Sequence, residues 1–401
     1  MKIVVINLNN YSVAAPLFFI GEIMKEIYLD SASTSKPIDS ILEIMKFHLE
    51  NDWYNPSSLY SAGVKVKEKI ELVRESIAEL INANSDEIYF TSGASESNNW
   101  VIRGFAEANI FNDAAIITTP IEHKSILNAL NNPALHCDIH CCRVDSHGFV
   151  DMKSLKYLLE LTKGKKVLVS IIAANNEIGT MQSLYQISEL VHKYDTILHT
   201  DATQALKYIP FNVKEIRIDL LSSSAQKLGG LKGTGFLYKK EGIKLNPLIY
   251  GEQENQMRGG TENTLGILAL GEAIKHTLNY FTNEKLFELR DYFIDKLEKE
   301  FGCKLNGDLL SRLPNNINVT FPQNITGEAL VYLLDTAGIR ISSGSACNSH
   351  SNEPSYVLKA IGLTDEEASR TVRFTLTEDL TKEDIDKVIY EIDKAIKILT
   401  M

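Results

Sequence analysis

Val167 to Ala173 reads VLVSIIA, Ile187 to Tyr194 follows with the spacing of an amphipathic helix, and Thr196 to Thr200 reads TILHT. A strand this continuously apolar must be covered on both of its faces, which is the condition of a parallel sheet between helical layers. The same alternation extends toward the N-terminus. Glu87 to Thr91 (EIYFT) and Ala115 to Thr119 (AIITT) are further β-rich runs, and Val64 to Ile81 and Ser154 to Leu161 carry helical patterns. Strands alternating with helices predict an α/β fold with a mostly parallel central sheet and helices on both faces. The C-terminal part changes character. Strands over 316–321 and 371–376 and helices over 328–336 and 382–399 predict a smaller α+β lobe. A charged amphipathic pattern over 277–301, with Leu278, Phe281, Leu286, Phe293 and Leu297 as its apolar positions, predicts one long helix bridging the two. No internal repeat or low-complexity linker interrupts the chain.

Composition narrows the function classes. The 401 residues carry 41 Lys and Arg against 52 Asp and Glu, a net charge of −11. A chain this acidic lacks the basic footprint of a nucleic-acid or anionic-membrane binder. Five cysteines are too few for a disulfide scaffold, so a reducing, cytoplasmic setting is expected. The first 23 residues hold two short apolar runs, Val4 to Ile6 and Val13 to Ile20. Asn7, Asn9 and Asn10 split them, and Pro16 breaks the second. Neither run suits a bilayer span or a signal peptide. Because Met24 opens MKEIYLDSAST like a natural start, residues 1–23 read as an extension or a mis-assigned start.

Five stretches carry chemistry. Thr91 to Asn99 reads TSGASESNN after a strand and at a helix start, where small hydroxylated residues and backbone N–H groups can cup a phosphate. The plainer reading has Ser92 or Ser95 as an ordinary helix cap. Ser222 to Gly235 reads SSSAQKLGGLKGTG, with Lys227 among glycines that permit close backbone approach; such a lysine can form a Schiff base if its pKa falls. The alternative is a solvated loop lysine. His199 to Gln204 reads HTDATQ, and a buried strand-end Asp201 needs a cationic or N–H partner, which a protonated pyridinium would supply; the plainer reading is a helix N-cap Asp. Ser342 to Ser349 reads SSGSACNS, where the polar setting favours an accessible Cys347 over a packed one, as a nucleophilic thiol requires; a non-catalytic loop cysteine is the plainer reading of the motif alone. His136 to Cys142 reads HCDIHCC and invites a metal site. It also alternates like a strand, with Cys137, Ile139 and Cys141 on one face, and no second Cys or His cluster completes a split site. No metal is expected.

Taken in order, the anion cup, the Asp, the Gly-flanked Lys and the late Cys resemble the cysteine desulfurases, class V aminotransferase members of the fold-type I pyridoxal phosphate enzymes. The resemblance runs from about Ile27 to the C-terminus through YLDSAST, NPSSLY, TSGASESNN, EHKS, NNEIGT, HTDATQAL, RGGTEN, SSGSAC and EPSYVLKAIGL. It implies pyridoxal 5'-phosphate held on Lys227, with His123 stacked on the ring, Asp201 on the ring nitrogen and Gln204 on the ring oxygen. The phosphate would lie on Ala94, Ser95, Ser224 and Gln226, with Thr261 reaching in from the partner of a homodimer. Asn176 and Arg373 would hold the carboxylate of L-cysteine, a task that suits the arginine fork. Cys347 would take the sulfur as a persulfide and pass it to an acceptor protein, leaving alanine. The expected division is a large cofactor domain over 38–276, with 24–37 and 277–401 forming the small domain that carries the cysteine.

Three positions depart from that pattern. Gln226 stands where a histidine usually precedes the lysine, Leu231 replaces a proline in GLKG, and Tyr250 and Glu252 occupy positions usually glycine. Gln226 keeps a donor for the phosphate but cannot carry a titrating proton. A selenocysteine lyase or another β-eliminating relative is the nearest rival activity, and a non-catalytic scaffold is the rival of another class. The scaffold is disfavoured because Lys227, Asp201, His123, Cys347 and Arg373 are all present.

Overall fold

The computed structural model describes residues 26–401 except 112, 279–283, 323–324, 344–353 and 401, together with the short antiparallel pair Asn7–Leu8 and Tyr11–Ser12. Its centre is a seven-stranded sheet. The strand order is Ile88–Thr91, Gly235–Lys239, Leu220–Ser224, Ile197–Asp201, Lys166–Ser170, Ala114–Thr118 and Asp138–Cys141. Gly235–Lys239 runs antiparallel to both neighbours, and every other pairing is parallel. The mostly parallel sheet expected from VLVSIIA is therefore present, and its inner strands are buried along almost their whole length.

Helices cover both faces. Ser61–Ile81 turns Val66, Ile70, Val73 and Ile77 inward at helical spacing, onto Phe90, Leu221 and Phe236 of the sheet. It stops at Asn82, which takes the left-handed conformation at φ 56° and returns its N–H to Ala78 and Glu79. On the other face, Trp100, Val101, Ile102 and Phe105 of Ala94–Ala108 pack with Ile116, Leu168 and Leu237.

A second core belongs to the small antiparallel sheet of Lys304–Leu305, Asn316–Thr320, Thr371–Thr375 and Ser342–Ser343. It gathers Phe293, Leu297, Val319, Leu334, Phe374 and Ile392, and it also takes in Ile27 and Leu29 from the front of the chain. Ile27–Tyr28 pairs in parallel with Ile339–Arg340, and Asp30 bridges to Thr375. Residues 29–34 thus leave this lobe and run toward the carboxyl ends of the large sheet, the edge where open α/β sheets bind ligands.

Of the long helix expected over 277–301, the described residues give Glu284–Phe301, preceded by the helix Thr264–Leu278, while 279–283 lie outside the described residues. Leu278 is half-exposed at the end of Thr264–Leu278, and Phe281 lies outside the described residues. The buried stripe of Glu284–Phe301 is Leu286, Leu289, Phe293, Ile294 and Leu297, a 3–4 repeat that begins only at 286. Glu284 opens it with an acid in the first turn, as the helix dipole favours. In HCDIHCC, residues 138–141 form the exposed edge strand, with Cys142 buried just beyond it.

Candidate active site

Strand ends supply most of the candidate residues. Thr91, Asp201 and Ser224 close their strands, and Gly235 pairs with both Thr91 and Ser224. A Cβ on Gly235 would stand 2.6 Å from the Gly93 Cα and 2.5 Å from the Ser223 carbonyl oxygen, so only glycine fits there. A Cβ on Gly93 would lie 3.6 Å from the Ser224 hydroxyl. Helix Ala94–Ala108 therefore starts directly beside Ser224. Its cap is Gly93 at φ 146°, and no side chain caps it. Neither Ser92 nor Ser95 takes the plain capping role, which leaves first-turn N–H groups at Ala94 and Ser95 for an anion.

Asp201 is 3% exposed. Its Oδ1 accepts from the Thr203 N–H at 3.0 Å and its Oδ2 from the Asn98 amide at 2.7 Å. His199 stands on the same strand two residues earlier. Burial lowers its pKa to about 4, and Ser170 and Ser222 hold the ring at 2.8 and 3.0 Å. The imidazole is therefore neutral at physiological pH, and the donors on Asp201 are neutral N–H groups. The Asn98 amide also reaches the Ser125 hydroxyl at 2.9 Å, and that hydroxyl lies 2.8 Å from Nδ1 of His123. One hydrogen-bonded run thus joins His123, Ser125, Asn98 and Asp201. His123 itself caps helix Lys124–Leu130 by accepting from the Ser125 N–H.

A second group converges on residues 30–34. Lys227 ends a single 3-10 turn, Ala225–Lys227, and is 9% exposed. Its amine donates to the carbonyls of Ala32 and Ser33 at 2.6 and 2.5 Å. Gln204 donates to the Ala32 carbonyl at 3.0 Å, and Thr34 donates to the Gln226 amide oxygen at 3.3 Å. Arg373, buried at 3%, donates to Asp30 and to the Ser33 hydroxyl, each at 2.8 Å, and to the Asn176 carbonyl at 3.0 Å. The Arg373 Nε and the Asn176 Oδ1 are buried without a hydrogen-bond partner. Thr261 is exposed beyond Gly260, and no described hydrogen bond joins it to the other candidates. Cys347 lies outside the described residues.

Reading the sequence missed Asn98, Ser125, Asp30 and Ser33 as parts of this site. Asn98 had a signal, since it follows Ala94 by one helical turn and so shares its face. Ser33 had only its place within YLDSAST.

Pyridoxal phosphate suits these residues. A buried carboxylate with neutral donors matches a protonated ring nitrogen. An amine resting on two carbonyls can be freed for an aldehyde. The glycine-lined, uncapped helix start beside Ser224 matches a phosphate.

Glu122, next to His123, is fully buried. Burial pushes its pKa up to about 8, against the Thr119 hydroxyl and the Ile172 N–H that donate to it, while Asp201 nearby raises it further. A carboxyl whose folded pKa exceeds its unfolded value stabilises the fold while protonated. It gives up that contribution as pH climbs through the folded value. Between pH 6 and 9 the protein should therefore lose thermal stability on this account. In Glu122→Gln, which stays neutral, Tm should fall less over that range, by at least about 2 °C. Parallel melting curves against pH would contradict the assignment.

The aminotransferase class-V family model matches residues 27–388. A protein of Dictyoglomus turgidum named cysteine desulfurase IscS is 43% identical over 380 residues, covering 94% of this chain and 95% of the relative. Among solved structures, a NifS-like protein superposes with a TM-score of 0.85 at 32% identity, over 94% of this chain and 99% of its own. SspA in complex with cysteine gives a TM-score of 0.77 at 34% identity, over 87% of this chain and 98% of its own.

Proposed function

We propose, for a chain that belongs to the class-V aminotransferase family and within it to the cysteine desulfurases, that it takes sulfur from L-cysteine as a Cys347 persulfide and hands it to an acceptor protein. The observation that carries this reading is the meeting of Lys227 and Arg373 on Ser33, an amine for an aldehyde and a guanidinium for a carboxylate across one residue. Pyridoxal phosphate, when bound, supplies an electron sink beside the substrate Cα.

The chain's own groups do the rest. Gly93, Ala94, Ser95, Ser224 and Gln226 bind the phosphate, and His123 covers one face of the ring. Asp201, steadied by Asn98, keeps the proton on the ring nitrogen, and Gln204 bonds the ring oxygen. Arg373 trades its Asp30 and Ser33 contacts for the substrate carboxylate, to which the Asn176 amide also donates. Lys227 Nζ carries the proton at the substrate Cα. The Cys347 thiolate then attacks the substrate sulfur. An S–S bond forms, the Cβ–S bond breaks, its electron pair takes a proton to make alanine, and Cys347 is left as the persulfide. No external oxidant is needed, because one thiol and one cysteine become one persulfide and one alanine.

The active form we propose is a homodimer in which Thr261 serves the partner's phosphate. Its support is a run of exposed apolar side chains along and beside NPSSLY, including Trp53 at 70% and Leu59 at 98% exposure. Such clustering marks an association surface. The setting is cytoplasmic. No helix among the described residues is long and apolar enough to cross a membrane, and the four described cysteines are unbridged.

The test is direct. Purified protein given pyridoxal phosphate and L-cysteine should release one alanine for each sulfur recovered, and mass spectrometry should find the persulfide on Cys347. A protein that never develops the absorbance of lysine-bound cofactor would end this reading.

A further inference from the structure

The first described residues after the cysteine-bearing stretch are Pro354, Ser355 and Tyr356, and Ser355 stands eight positions beyond Cys347. Ser355 is buried at 3% and caps the short helix Tyr356–Ala360 by accepting from the Leu358 N–H. The same hydroxyl donates to the buried carboxylate of Glu177. Tyr356 reaches the other way, and its hydroxyl donates to the Glu122 carbonyl at 2.7 Å. The Lys124 ammonium lies 5.8 Å from the centre of the Tyr356 ring. The helix behind them seals the joint, with Val357, Leu358 and Ile361 packing on Ile121 and Ile178.

These contacts fall on two particular neighbours. Glu122 and Lys124 flank His123, and Glu177 follows Asn176. Both anchor segments are firmly held themselves. The Glu177 carbonyl accepts from Asn318 at 3.1 Å, and the Asn175 side chain bridges the Ile121 carbonyl and the Glu177 N–H, each at 2.8 Å. Burial pushes the Glu177 carboxyl up to about 7, while the Ser355 hydroxyl, Arg373 and Lys124 oppose that shift. The ends of these ties are therefore rigid relative to the pocket.

We infer that Ser355 and Tyr356 are positioning residues for sulfur transfer, fixing the end of the cysteine-bearing stretch to the segments that carry Asn176 and His123 through the Ser355–Glu177 and Tyr356–Glu122 hydrogen bonds. The inference rests on the desulfurase reading above. Its physical basis is that an attacking sulfur must arrive at near-contact distance and in line with the bond that breaks. A displacement of an ångström can cost on the order of 100-fold in rate.

Three variants of the holoenzyme test it. Tyr356→Phe removes only the hydroxyl and keeps the ring beside Lys124. Ser355→Ala removes the tie to Glu177, and Ser355→Thr restores a hydroxyl. In single-turnover reactions at saturating L-cysteine, Tyr356→Phe and Ser355→Ala should each slow Cys347 persulfide formation by about tenfold or more. KM for cysteine and bound cofactor should change less than about twofold. Ser355→Thr should recover most of the lost rate. Unchanged persulfide rates would overturn the inference, and so would a loss of cofactor or a raised KM in place of a rate effect, since those mark a merely structural role. A wild-type protein that forms no persulfide under the same conditions would instead remove the desulfurase reading itself, so the two failures are told apart.

Discussion

Lys227→Ala is expected to abolish alanine formation from L-cysteine, with a loss of at least about 1,000-fold even when pyridoxal phosphate is supplied in excess. The magnitude follows from the two tasks that meet on one nitrogen, covalent retention of the cofactor and proton transfer at the substrate Cα. Lys207 is also buried, at 7% exposure, but its amine is paired with the Glu378 carboxylate at 2.5 Å and does not meet the Ala32 and Ser33 carbonyls. Lys227 differs in donating to the Ala32 and Ser33 carbonyls. Carbonyl dipoles stabilise a charged amine less than a carboxylate does, and the amine can leave them for an aldehyde at modest cost. Lys227→Arg should fail as completely, because a guanidinium remains charged and forms no such bond. Absorbance of the lysine-bound cofactor should vanish in both variants, while thermal melting confirms that the fold persists. Turnover within about tenfold of wild type would mean that another group holds the cofactor.

Different parts of the molecule were legible in the sequence to different degrees, for physical reasons. The strand at VLVSIIA could be read because burial on both faces leaves an unbroken apolar run, a local signature that needs no knowledge of its neighbours. The helix expected over 277–301 illustrates the opposite. Leu278 ends one described helix and Leu286 opens the buried stripe of another, and spaced apolar residues alone do not assign each to its own helix. Lys227 and Asp201 stood out because ionisable groups beside glycine or at a buried strand end require a reason, whereas Arg373 was reached only through the family resemblance. Asn98 and Ser33 did not stand out. Their importance lies in what they touch, Asp201 for Asn98, and for Ser33 both Lys227 of the large lobe and Arg373 of the small one. Such contacts join residues 100 or more positions apart, as the 103 between Asn98 and Asp201 illustrates, and no local pattern encodes them.

Cys347→Ala is expected to eliminate persulfide formation and cysteine desulfuration together, while L-cysteine still binds and perturbs the cofactor absorbance. The other four cysteines cannot substitute, and the reason is protonation as much as position. Burial pushes Cys137 and Cys142 up to about 11 and Cys303 up to about 12, and it raises Cys141 as well. At neutral pH all four are thiols, and the thiolate is the form that attacks sulfur. Cys303 is moreover packed in the core of the small lobe with Phe301 and Phe321, while Cys137 precedes and Cys141 ends the far edge strand of the large sheet. The expected loss is thus at least about 100-fold at pH 7 and should not be recovered by raising the pH to 9, which still lies below the values of Cys137, Cys142 and Cys303. Selenocysteine separates the remaining possibilities. A carbon–selenium bond can break without a thiol acceptor, so Cys347→Ala that still releases alanine from selenocysteine but not from cysteine would assign the residue to sulfur capture alone. Residual cysteine desulfuration above about one-tenth of wild type would show that the sulfur leaves by another route, and the persulfide on Cys347 would have to be abandoned.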